Sequence, residues 1–223
     1  MAGIVDGGRV RRVGVIGDVH TEVHALERVL GYFGTLDLDR VLCTGDIPDG
    51  PGHGDSVARC CALLKEANAV TICGNHDRWL QEGTMREEAD ATDPRELDPA
   101  TREFLAGLPA MVEFDTPTGK LLLCHGLGTD DMAGVQPYDR GHAIDANQRL
   151  QDVIAQGRYA FVINGHTHRR MVRAIGSLTV INAGTLLTKH QPTCVVADFE
   201  SQRVRLYDVT PDRGVIEAQR FDV

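Results

Sequence analysis

Val13-Gly14-Val15-Ile16-Gly17-Asp18-Val19-His20 decides how this chain is read: an unbroken apolar run that ends on glycine and delivers a carboxylate and an imidazole two residues apart. A run that is apolar on every residue, not on alternate ones, predicts a strand covered on both faces. The same device recurs in Val41-Leu42-Cys43-Thr44-Gly45-Asp46 and in Val70-Thr71-Ile72-Cys73-Gly74-Asn75-His76-Asp77. It returns in Leu121-Leu122-Leu123-Cys124-His125-Gly126 and in Phe161-Val162-Ile163-Asn164-Gly165-His166-Thr167-His168. Open α/β sheets place their ligands at the carboxyl ends of their strands, so five such ends should bring Asp18, His20, Asp46, Asn75, His125, His166 and His168 together.

Between these runs the helical period appears. Val23, Leu26, Val29, Leu30 and Phe33 share one face of a helix over 22–33, which Gly34 stops. Further helices are predicted over 55–67, 99–106 and 144–156, and a hairpin over 111–115 and 120–124. Short strands follow over 159–163, 171–174, 178–181, 193–199 and 204–209, with an edge strand in 210–223. The expected architecture is α/β, a four-layer αββα sandwich of two mixed sheets flanked by helices, with right-handed crossovers. Residues 1–9, Gly-rich and polar, are expected to fray, leaving a single domain over 10–223. The acidic stretch 78–100 reads as a lid or as short helices, and its Glu87–Asp98 part as a solvated face.

The composition narrows the partners. Of 223 residues, 42% are hydrophobic and 25% charged, and the net charge is −9 with a pI near 5.4. That balance disfavours a long nucleic acid and leaves a small phosphorylated substrate as the expected partner. No apolar run approaches the ~18 residues of a membrane span. Six cysteines without Cys-x-x-Cys spacing fit packed thiols in a reducing cytoplasm, the vicinal Cys60-Cys61 included.

Oxygen and imidazole donors without thiolate suit Mn, Fe, Zn, Ni or Co, and seven donors exceed what one tetrahedral ion takes. They suit two divalent ions sharing a carboxylate, roughly 3.5–4 Å apart, and hence hydrolysis of a phosphate ester. Taken singly, each of these residues is equally a cap or a turn former, Asn75 above all.

Asp18-x-His20, Gly45-Asp46, Gly74-Asn75-His76-Asp77, His125-Gly126 and Gly165-His166-Thr167-His168 resemble, in order and spacing, the five motifs of the calcineurin-like metallophosphoesterases. The resemblance covers roughly residues 13–185. It implies that Asp18, His20 and His168 bind one metal, that Asp46 bridges, and that Asn75, His125 and His166 bind the second, with manganese foremost. It implies in-line attack by a metal-bridging hydroxide, and His76 as leaving-group acid or phosphate-orienting group. Asp49 matches the carboxylate that orients this histidine in protein-phosphatase-like members; its other reading is a turn cap. Asp77 reads as a support for its loop.

Protein Ser/Thr phosphatases carry Asp-Arg-Gly in the second motif, where this chain has Asp49-Gly50, and Gly-Asn-His-Glu in the third. The resemblance is therefore to the small bacterial and archaeal phosphodiesterase branch, with Asn182-Ala183-Gly184-Thr185 where that branch often has Asn-Pro-Gly-Ser. A protein phosphatase and a non-catalytic protein-binding scaffold are the alternatives. The loops 78–100 and 126–141 are expected to set the substrate. His53 and His142 read as exposed loop residues, His24 and His190 have no assigned role, and at least one of Arg169 and Arg170 is expected in solvent.

Overall fold

A computed structural model describes residues 4–223. The elements run β1 (Val5–Arg9), β2 (Arg12–Ile16), α1 (Val23–Phe33), β3 (Arg40–Cys43), α2 (Gly54–Glu66), β4 (Val70–Thr71) and α3 (Asn75–Glu82). They continue with α4 (Pro99–Ala106), β5 (Met111–Thr116), β6 (Gly119–Cys124), α5 (His142–Asp145), α6 (Gln148–Ala155) and β7 (Phe161–Asn164). The chain ends with β8 (Met171–Ile175), β9 (Leu178–Asn182), β10 (Thr193–Asp198), β11 (Arg203–Thr210) and β12 (Gly214–Asp222).

Two six-stranded mixed sheets result, ordered β1-β5-β6-β7-β9-β8 and β12-β11-β10-β2-β3-β4. Strands β2, β3 and β4 are parallel in one, and β6, β7 and β9 are parallel in the other. An isolated bridge joins Asp18 to Thr185 where the sheets meet at their carboxyl ends.

Side-chain alternation sorts the apolar strands into separate cores. Val13, Val15 and Leu42 pack with Leu121, Leu123, Phe161 and Ile163 between the sheets. Their neighbours Ile16 and Cys43 face the other way, beneath α1 and α2, against Leu26, Val29, Val57 and Leu64. Leu122 and Val162 pack under Leu150 and Val153 of α6. Three cores separate four layers, so every central strand is buried on both faces. Each fully buried Leu, Ile or Val contributes roughly 1.5–3 kcal/mol of transfer free energy, which fixes the strand ends on which the polar residues sit.

The structure departs from the sequence expectation at two places. Positions 1–3 of the segment expected to fray lie outside the described residues, but Val5–Arg9 is a strand, pairing in parallel with β5 across a bulge between Asp6 and Arg9. The helix expected over 144–156 is two helices, because the Asn147 side chain accepts from the backbone N–H of Leu150 (3.1 Å) and starts a new helix there. The acidic stretch takes the second of its two expected forms, short helices. Helix α3 begins on Asn75, a short 3-10 turn spans Pro94–Glu96, and α4 starts where Asp98 accepts from the N–H of Thr101 (3.0 Å) ahead of Pro99.

Candidate metal centre and active site

All seven donors predicted from the sequence converge at the carboxyl ends of β2, β3, β4, β6 and β7. Asp18, His20, Asp46, Asn75 and His125 are buried, and His166 and His168 are half-buried. Asp18, His20, Asp46 and His168 each offer a donor atom within 4.8 Å of the others. On the other side, Asn75 Oδ1 lies 2.8 Å from His125 Nε2 and 3.0 Å from His166 Nδ1. Asp46 Oδ2 stands between the two groups, 3.2 Å from His125 Nε2 and 3.8 Å from His20 Nε2.

The backbone is bent to hold them. His20, Thr21, Asp46, Asp49, His166 and His168 all adopt positive φ, a conformation costly for non-glycine residues and concentrated at functional sites. A Cβ on Gly74 would overlap Asp46 Oδ1, and one on Gly165 would overlap Asp18 Oδ1, so the carboxylates press directly on bare backbone. Asp77 supports the floor from below, as expected. Its carboxylate accepts from the backbone N–H groups of Asp46 (2.7 Å), Ile47 (3.1 Å) and Gly74 (2.8 Å).

The imidazoles of this cluster turn their nitrogens toward oxygens and toward one another. His125 gives its Nδ1 proton to the Thr44 carbonyl (2.7 Å), leaving Nε2 pointed at two oxygens. Burial disfavours charge on His125, yet the Asp46 and Asp18 carboxylates outweigh it and push the imidazole up to about 10. The two carboxylates thus favour positive charge at that point, whether a proton on the ring or a cation beside it. His20 gives its Nδ1 proton to the Asp49 carbonyl (2.7 Å) and turns Nε2 toward His168 Nε2, 3.0 Å away. Burial, then His20, drives His168 down to about 3, so it stays neutral. Asp18 Oδ2 is buried without a hydrogen-bond partner among the described residues, 3.3 Å from His168 Nε2. Imidazoles, an amide oxygen and an orphaned carboxylate oxygen form a donor set that divalent transition ions fit.

His76 sits at the N-terminus of α3, its backbone N–H on Asp46 Oδ1 (2.8 Å) and its Nδ1 on Asp49 Oδ2 (2.8 Å). Burial opposes its charged form, but the Asp49 hydrogen bond and the Asp46 and Asp49 charges raise it above the ordinary histidine value. Burial also opposes ionisation of Asp49, which His76 and Arg86 nevertheless hold at about 2. Arg86 grips Asp49 with both arms (2.9 and 2.7 Å), and Thr92 closes the ring, its N–H on Asp49 Oδ1 (2.8 Å). Arg86 was not singled out in the sequence, where it is one basic residue in an acidic stretch.

A cleft of about 560 Å³ opens beside His166 and His168, walled by Tyr138, Arg169, Arg170 and His190. The 126–141 loop therefore reaches the cleft, whereas 78–100 packs on Asp49. His190, which had no sequence-based role, lies edge-on to His168 with ring centroids 5.1 Å apart. His24, His53 and His142 stay outside the cluster on exposed positions.

Residues 12–202 match the calcineurin-like phosphoesterase superfamily domain, and the chain belongs to that family. It is 32% identical over 124 residues to an uncharacterised protein of Methanocaldococcus jannaschii; the match takes in 51% of this chain and 48% of that protein, so it spans about half the relative's length. The fold is shared with a metallophosphoesterase from Sphaerobacter thermophilus (TM-score 0.63, 20% identity, 91% of this chain and 89% of that one). It is also shared with an archaeal phosphodiesterase (TM-score 0.55, 18% identity, 89% and 99%). Among the described residues no helix is long and apolar enough to cross a membrane.

Proposed function

We propose that this chain is a dimetal phosphoesterase that hydrolyses a small phosphodiester or phosphomonoester. Asp18, His20 and His168 would hold one divalent transition ion, Asn75, His125 and His166 the other, and Asp46 both. Manganese is the first candidate, with Fe, Zn, Ni and Co as alternatives that the same donors accept. One observation carries this reading: seven oxygen and imidazole donors from five strand ends converge on one pocket, a set that two divalent ions would satisfy. The archaeal phosphodiesterase that shares the fold supports an ester of this kind as substrate.

When bound, two such ions lower the pKa of a water toward ~7 and offset charge on the phosphoryl oxygens. The chain supplies the rest. Buried carboxylates on bare backbone fix the donors, and half-buried His166, His168 and His76 leave one side open to substrate. The attacking water, having released one proton to solvent, would bond through its oxygen to phosphorus as the ester P–O bond opposite it breaks. The departing oxygen takes its proton from His76 Nε2, because Nδ1 is committed to Asp49.

A protein phosphatase is disfavoured because Gly50 stands where such enzymes place their arginine, and a non-catalytic scaffold because no donor is missing. Six free thiols suit a reducing cytoplasm. The test is turnover of bis-p-nitrophenyl phosphate and p-nitrophenyl phosphate by protein loaded in turn with Mn, Fe, Zn, Ni and Co. Hydrolysis of at least one ester is expected. Silence on both with every metal overturns the proposal.

A further inference from the structure

The cleft beside His168 is unlike the rest of the surface. The chain carries 32 Asp and Glu against 23 Lys and Arg, yet no carboxylate lines this cleft. Its walls are Tyr138, Arg169, Arg170, His190, Gln191 and Gln219 beyond the His166–His168 turn. Arg170 is already matched, paired to Asp208. Arg169 is exposed, and among the described residues it has no carboxylate and no hydrogen-bond acceptor. Its guanidinium instead lies over the Tyr138 ring, 6.0 Å from the centroid. Tyr138 is 65% exposed, a large aromatic side chain left in water.

An unmatched arginine in an acid-free recess attracts an anion, and an exposed ring carrying a guanidinium offers a planar stacking platform. A lone phosphate held at the metal centre would use neither. A cleft of about 560 Å³ also exceeds what a phosphate needs and is ample for a nucleoside.

We infer that the substrate is a short nucleotide phosphodiester: the scissile phosphate at the metal centre, a base against Tyr138, and a second phosphate on Arg169. This rests on the dimetal reading for the position of the scissile phosphate. The net charge of −9 disfavours a long polyanion but not a dinucleotide, because the cationic recess is local.

Binding and turnover test it separately. In calorimetry on metal-loaded protein, thymidine 3′,5′-bisphosphate should bind about tenfold tighter than thymidine 5′-monophosphate. Arg169→Ala should erase that difference, and Tyr138→Ala should weaken both ligands roughly tenfold. In turnover, kcat/KM for 5′-phosphorylated thymidine dinucleotide, relative to methyl p-nitrophenyl phosphate, should fall about tenfold in Arg169→Ala. Equal affinity for the two thymidine ligands in the wild type, or a preference that survives Arg169→Ala, overturns the nucleotide assignment. If the preference holds but no ester of any kind is cleaved, the cleft assignment stands and the hydrolase proposal fails.

Discussion

The floor of the site and its rim are built by opposite means. On the floor, Asp18, Asp46, Asn75 and His125 are buried, braced by Asp77 and by glycines too close for a Cβ, and carried on strands packed on both faces. On the rim, Asp49 is pinned by Arg86 from a turn 37 residues away, and Tyr138 and Arg169 stand in solvent. Each donor of the floor is fixed by the same packing that holds the sheets together, so substitutions there should be costly. The rim rests on a few polar contacts between loops, where change costs little stability. On the proposed reading, metal holding belongs to the floor, and proton supply and substrate choice to the rim.

Breaking the floor should have the largest effect. Asp46→Ala removes the oxygen between both donor groups, and turnover should drop by at least roughly 10³-fold, with metal content falling below two ions per chain. Retention of both ions would detach Asp46 from the bridging position. Gly165→Ala reaches the same region through shape alone. Its Cβ would overlap Asp18 Oδ1, and overpacking of this kind costs about 1–3 kcal/mol. Chemical denaturation should register that loss together with weaker metal uptake; an unchanged midpoint would contradict the close packing.

The rim should answer more gently. His76→Ala should slow turnover roughly 10²-fold on an alkyl ester, and less on a p-nitrophenyl ester, whose leaving group needs no proton. Its metal content should stay at the wild-type value, and an equal loss on both esters would remove the proton-donor role. Arg86→Met leaves Asp49 and His76 in place but unpins the carboxylate. About a tenfold loss on alkyl esters is expected, again smaller on p-nitrophenyl esters.

Far from both regions, Asp39 provides the smallest effect. Arg11 and the backbone N–H groups of Arg11 and Arg12 outweigh modest burial and hold its carboxyl at about 2, below the ordinary 3.8. A depressed carboxyl stabilises the fold above its unfolded value and loses that contribution as pH falls through the folded one. Asp39→Ala should therefore cost about 1 kcal/mol at pH 7, and the gap from wild type should narrow between pH 4 and 2. A gap independent of pH would exclude an ionic contribution.

The same contrast explains what could be read from the residues. The seven donors follow apolar runs directly, so each announced itself locally, and the succession of continuous apolar runs and helical periods foretold two mixed sheets with helices outside. Val5–Arg9 was missed because its partner, β5, lies a hundred residues away and its own composition is that of a loop. Asn75-His76-Asp77 has the chemistry of a turn and becomes the start of a helix because Asp77 folds back on Gly74. Arg86, Tyr138 and Arg169 acquire meaning only through partners distant in sequence, which no local pattern encodes.

The most direct test is elemental analysis of the purified chain after saturation with Mn and removal of free metal, alongside Asp46→Ala. The account predicts two ions per wild-type chain and fewer than two in the variant. One ion or none in the wild type under saturating metal would contradict it.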